Sequence, residues 1–179
     1  MMSYLPLSND IVPFGLNLEE LHYFVRICGD RSSLNDVTPT QINEMYIKPM
    51  TRHLQCSYCN FRIKSTDSNC NQTISKATIY VSYTPTCRFL DLIDSLQNYS
   101  NKHRLVDAYF WIDIFSLNQH RRNKKSLLII PSEVDQLLPL NIVANIGHML
   151  LITVENDYSF MSLSNTLWSL FSSFCTGFR

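Results

Sequence analysis

"ATIYVSYTPTCRFLDLIDSLQNYS", residues 77–100, decides the fold. Its first seven residues are an apolar, β-branched run, which predicts a strand buried on both faces. Then the period changes. Phe89, Leu92, Ile93 and Leu96 fall at i, i+3, i+4 and i+7, one face of an amphipathic helix. The same alternation continues downstream. "AYFWIDIFSL" (108–117) reads as a second strand, "NQHRRNKKS" (118–126) as a loop, and "PSEVDQLLPLNIVANIG" (131–147) as a helix capped by Ser132 and broken near Pro139. "HMLLITVEN" (148–156) is a third buried strand. "TLWSLFSSFCTG" (166–177) is a last helix with Leu167, Leu170, Phe171 and Phe174 on one face. Strands apolar on both faces, alternating with helices, predict an α/β fold with a parallel sheet covered on both sides. Ligands bind such sheets outside the carboxyl ends of the strands, here after Val81, Leu117 and Val154.

Upstream the pattern is helical. Residues 1–15 read as irregular, with Pro6, Pro13 and Gly15. "LEELHYFVRIC" (18–28) has helical spacing through Leu18, Leu21, Phe24 or Val25, and Cys28, and Gly29 ends it. In "TPTQINEMYIKP" (38–49), Thr38 is a good N-cap, Pro39 suits the first helical position and Gln41 completes a capping box. Pro49 is expected to stop that helix. Residues 51–75 are polar and poorly periodic, and "STDSNCNQTIS" (65–75) reads as a loop. The organisation expected is an N-terminal helical extension over 1–75 and an α/β domain over 76–179.

Of the 179 residues, 45% are apolar and 12% aromatic, enough for a packed core. Fifteen basic side chains balance fifteen acidic ones, so no long-range field draws in nucleic acid or anionic lipid. Only His120, Arg121, Arg122, Lys124 and Lys125 cluster, as a solvated loop or a site for a ligand phosphate. No run reaches the roughly 18 apolar residues of a membrane helix. The N-terminus lacks the pattern of a signal peptide. A cytoplasmic chain with six reduced cysteines is expected. His53, Cys56, Cys59 and Cys70 are compatible with zinc by spacing, but only one Cys-x-x-Cys pair exists, and reduced thiols are the reading adopted. Cys87 and His120 lack the oxyanion motif of a Cys-His hydrolase. No glycine-rich phosphate loop is present. Trp111 reads as core, and Trp168 as core or stacking platform.

Asp113 sits inside an apolar run. A buried carboxylate is costly, so it is expected to accept hydrogen bonds from a nearby loop or helix terminus, either pinning a turn or shaping a pocket.

Together, "ATIYVSY" with its helix, "FWIDIFSLNQH" (110–120), "IGHMLLITV" (146–154) and "TLWSLFSSFCT" (166–176) resemble a eukaryotic branch of the TIR-like domains. Fungal heterokaryon-incompatibility domains carry a related Trp-Ile-Asp…Asn-Gln string. "LNDVTPTQINEMYIKPMT" (34–51) is similar to the lead-in helix of this branch, ending in Lys-Pro-x-Thr at Lys48, Pro49 and Thr51. The resemblance implies a flavodoxin-like sheet flanked by helices. It implies either a signalling module that assembles with itself or with another TIR-like domain, or an enzyme that cleaves NAD with a glutamate on the third helix. On this chain, Ser82 and Tyr83 fall in the loop after the first strand, where the family binds nucleotide. Asp113, Asn118, Gln119 and His120 match the second-strand motif, and Trp168 matches the tryptophan of the last helix. Ser172 stands where the glutamate is expected, Asn165 where Arg is expected and Ser169 where Cys is usual. The resemblance thus implies a catalytically degenerate module with NAD as a ligand at most. The alternative is an NAD nucleosidase using another acid, Asp113 or Glu155. One or two further strands are expected beyond the last helix, or else a partner that completes the sheet.

Overall fold

The computed structural model describes residues 13–65, 70–84, 86–120 and 142–153. Arg121 to Lys125, Glu155, Trp168, Ser172 and the last helix lie outside the described residues, as does the predicted helix before residue 142. In chain order the elements are β1 (Phe14–Leu16), α1 (Leu18–Ile27), α2 (Asp30–Ser33), α3 (Pro39–Ile42), a π-helical turn (Asn43–Ile47), α4 (Lys48–Thr51), α5 (Tyr58–Lys64) and α6 (Cys70–Thr73). They continue with β2 (Ile74–Lys76), β3 (Ile79–Tyr83), α7 (Phe89–His103), β4 (Phe110–Trp111), α8 (Asp113–Ser116) and β5 (Met149–Ile152). A helical turn at 142–146 precedes β5.

The helix ends follow their capping chemistry. The Asn17 side chain accepts from the Glu20 N–H at 3.0 Å and starts α1. Gly29, at φ 98°, follows Cys28 at its end in the left-handed conformation that glycine adopts without strain. The capping box at Thr38 and Gln41 forms with both bonds present. α7 buries Phe89, Leu92, Ile93 and Leu96, the stripe its spacing predicted.

Pro49 does not stop the lead-in helix. Helical backbone runs on through α4, because the turn before it widens to π and the Lys48 N–H donates to the Asn43 carbonyl five residues back. A wider turn relieves the clash that a proline ring makes with the preceding carbonyls. The poorly periodic stretch 51–75 contains α5, capped by the Ser57 side chain at the Asn60 N–H, and its part read as loop, 65–75, contains α6 and the strand residues Ile74 and Ser75. The stretch read as irregular at the N-terminus, 1–15, holds the first two residues of β1, Phe14 and Gly15.

The described strands form one sheet in the order β2-β1-β4-β3-β5. β4, β3 and β5 are parallel; β1 joins β4 and β2 antiparallel. The sheet is thus mixed rather than purely parallel, since chain upstream of residue 76 adds two strands to its β4 side. One face carries the main core, where Ile79, Val81 and Phe110 meet Leu21, Phe24, Tyr58, Phe89 and Phe115. Phe24 is central to it, edge-on to Phe115 at 4.9 Å and to Tyr58 at 5.2 Å between centroids. The other face carries Tyr80, Trp111, Ile142 and Val143. Trp111 is core, stacked on Tyr80 at 4.8 Å. Beneath α1 lies a buried ion pair. Glu20 accepts from Arg62 Nε at 2.6 Å, Thr73 Oγ1 at 2.7 Å and Tyr58 Oη at 2.8 Å, so its charge is matched and its lone pairs are filled. No helix among the described residues is long and apolar enough to cross a membrane.

Candidate functional site

β3 ends at Tyr83, so Ser82 and Tyr83 are its last two residues rather than the loop beyond it. They stand at the carboxyl end of the parallel strands, paired with Leu151 and Ile152 of β5. Successive strand residues point to opposite faces, so the Ser82 hydroxyl and the Tyr83 phenol leave the strand on opposite sides. Asp113 is not within a strand. β4 closes at Trp111, and Asp113 opens the single turn α8.

Tyr83 and Asp113 meet. The phenol donates to Asp113 Oδ1 at 2.5 Å, and the same oxygen accepts the Ile114 N–H at 2.8 Å. Two donors on one carboxylate oxygen are the compensation expected for a partly buried acid. Burial raises the Tyr83 phenol well above its ordinary range, and the Asp113 charge and hydrogen bond raise it further. The phenol therefore stays protonated and works as a donor.

Asn118, Gln119 and His120 turn the other way, onto the lead-in helix. Asn118 Nδ2 donates to the Gln55 carbonyl at 2.6 Å, and Asn118 Oδ1 accepts the His120 N–H at 3.0 Å. Gln119 is buried, only 2% exposed. Its Nε2 donates to the Asp113 carbonyl at 2.7 Å and the Leu117 carbonyl at 3.2 Å, while its Oε1 accepts from Asn43 Nδ2 at 3.2 Å. Both amide hydrogens and the amide oxygen are thereby used inside the fold. His120 Nε2 lies 2.8 Å from Thr51 Oγ1, which is 2.7 Å from the Ile47 carbonyl. The carbonyl can only accept, so it takes the single Thr51 proton. His120 Nε2 must then carry a hydrogen and donate to Thr51, which leaves Nδ1 as the remaining ring nitrogen.

Spacing did not reveal the partners of this motif. Asn43, Thr51 and the Gln55 backbone hold it from the helix side. Asn43, a polar residue beside Ile42 on an apolar face, was the available signal. Cys59 is fully buried with its Sγ 3.9 Å from Ser116 Oγ, and burial pushes its thiol up to about 12. Cys87, at the start of α7, is pushed up to about 11 by burial and by Asp91. Neither thiol is activated. Among the described residues no group of His, Cys, Asp and Glu is arranged to hold a metal ion.

No family model, no curated protein and no solved structure matches the chain.

Proposed function

We propose that this chain is a TIR-like signalling module that works by binding, to itself, to another TIR-like domain or to an NAD-like nucleotide held without turnover. The observation that carries this reading is the use of Asn118, Gln119 and His120. All three fasten the loop after β4 to the lead-in helix, so an intact motif needs no catalysis to explain it. The strand order supports the family. β4-β3-β5 is second-first-third among the parallel strands, the arrangement at the start of a flavodoxin-like sheet. In that order the switch point lies between β3 and β5, beside Ser82 and Tyr83, which makes them the nucleotide-facing residues of the proposal. Asp113 fits an anchor, since the oxygen that meets Tyr83 already has two donors. Free thiols at Cys28, Cys56, Cys59 and Cys87 suit a reducing compartment and hence the cytoplasm.

Ser172 in place of a glutamate removes the anion that would stabilise positive charge on the ribose as nicotinamide leaves. Loss of one preorganised group of that kind is worth about 3 kcal/mol, roughly a hundredfold in rate. The test is nicotinamide release from NAD. The wild-type chain is expected to release none above background. Robust release abolished by Asp113→Asn or Glu155→Gln would establish the NAD nucleosidase instead.

A further inference from the structure

A cleft of about 470 Å³ opens between α4 and the loop after α8, lined by Glu44, Lys48, Arg52, His53, Gln55 and His120. Its volume falls within the range of small-ligand sites. Its donors come from two separate parts of the chain. Lys48 and Arg52 are four residues apart, on one helical face, and His53 follows them. His120 enters from the opposite wall and is held in place. Its Nε2–H is fixed on Thr51, and its backbone N–H on Asn118, whose amide is tied to the Gln55 carbonyl. Nδ1 has no partner among the described residues.

Two of the cations are available to a ligand. Arg52 is exposed and makes no ion pair among the described residues. Among the described residues Lys48, its side chain 20% exposed, has an ion pair only with Glu44, whose side chain is 58% exposed, and a pair open to water on its carboxylate side is readily exchanged for a ligand anion. We propose that this cleft binds a phosphate dianion, free or as the terminal group of a small phosphomonoester. Arg52 would supply a two-pronged contact and Lys48 a point charge, and the pre-set His120 ring would close the far side. A tetrahedral dianion matches donors that converge from two walls. A long polyanion does not, because the chain's formal net charge is zero and no wider field supports it. The inference rests on cleft residues and does not require the TIR-like reading.

The test is calorimetric titration of the full chain, in low-salt buffer, with inorganic phosphate and separately with adenosine 5′-monophosphate. Saturable one-to-one binding of both is expected. Arg52→Ala should weaken each about tenfold, the loss of one charge-assisted contact. Glu44→Gln should tighten both, by freeing Lys48 and removing a repelling carboxylate. Both positions are exposed, so thermal unfolding of the variants should match wild type and separate lost binding from lost folding. If only inorganic phosphate binds with this variant pattern, the ligand is the free ion. If only the nucleotide binds with this variant pattern, the ligand is the phosphomonoester. If Arg52→Ala and Glu44→Gln leave affinity unchanged, the phosphate is held elsewhere and the proposal fails. No saturable binding of either compound at millimolar concentration overturns it as well.

Discussion

Gln119 shows how a side chain read as a ligand contact can serve the fold instead. In sequence it sits in a polar triplet after an apolar run, and polarity does not say which way a residue faces. In the structure it is a buried bridge between Asn43 and the carbonyls of Asp113 and Leu117. Gln119→Leu keeps much of the volume but takes the partner from Asn43 Nδ2 and the Leu117 carbonyl, and one of two donors from the Asp113 carbonyl, which keeps the Leu117 N–H, at a buried position. A loss of about 3 kcal/mol is expected, read as a lower urea midpoint with an unchanged slope. Glu20 is a harsher case. Glu20→Ala takes away the carboxylate to which the Arg62 guanidinium, 10% exposed at its side chain, donates, and removes the acceptor for Tyr58 and Thr73. About 3–5 kcal/mol is the expected cost, and a loss under about 1 kcal/mol would show that water reaches this pair. Asp113 was more legible. Its need for hydrogen-bond donors follows from burial of a carboxylate, although its place on a helical turn does not.

At the scale of elements, legibility followed length and periodicity. β3 and α7 carry enough residues for a pattern to emerge, and the Thr38 capping box is a local rule with local partners. β1 and β2 have three residues each, too few for alternation to register, and they exist because β4 offers an edge to pair with. The continuation of the lead-in helix past Pro49 depends on a π turn that no propensity rule announces. Gly15 tests the edge pairing directly. A Cβ at this position would lie 2.9 Å from the carbonyl carbon and oxygen of Phe110, backbone atoms that cannot swing aside. Gly15→Ala is therefore expected to push β1 away from β4 at a cost of about 2 kcal/mol, with faster amide exchange at β1 and β2 and little change in α7. Uniform loss of protection across all elements would mean that the edge strands are not a separable unit.

On the scale of the whole molecule, the chain before residue 76 and the chain after it share one sheet and one core, with Leu16, Phe24 and Tyr58 packed among Phe89, Phe110 and Phe115. That core also sets how stability responds to pH. Burial pushes the Cys28 and Cys59 thiols from 9.0 up to about 12, and Cys87 up to about 11. Tyr80 rises from 10.0 to about 12, and Tyr58 and Tyr83 rise too, through burial first and then neighbouring carboxylates. Below pH 9 these groups are protonated whether the chain is folded or not, so their contribution is fully present and stability does not depend on them. Above pH 9 the unfolded chain releases protons that the folded chain keeps. The unfolded state then binds fewer protons, and stability falls as pH rises, by up to about 1.4 kcal/mol per pH unit for each group caught between its two values. The thermal midpoint, followed by circular dichroism, is thus expected to be insensitive to these groups up to pH 9 and to fall steeply from pH 9 to 11. Cys28→Ala combined with Cys59→Ala should lower the midpoint at neutral pH, because it empties core volume, yet make the decline between pH 9 and 10 shallower, because two of the groups that titrate first in the unfolded chain are gone while Cys87 and the tyrosines remain. The slope is the readout, and it separates proton linkage from lost packing. A midpoint that holds level to pH 11 in the wild type would mean that these thiols and phenols are wetter than their packing implies.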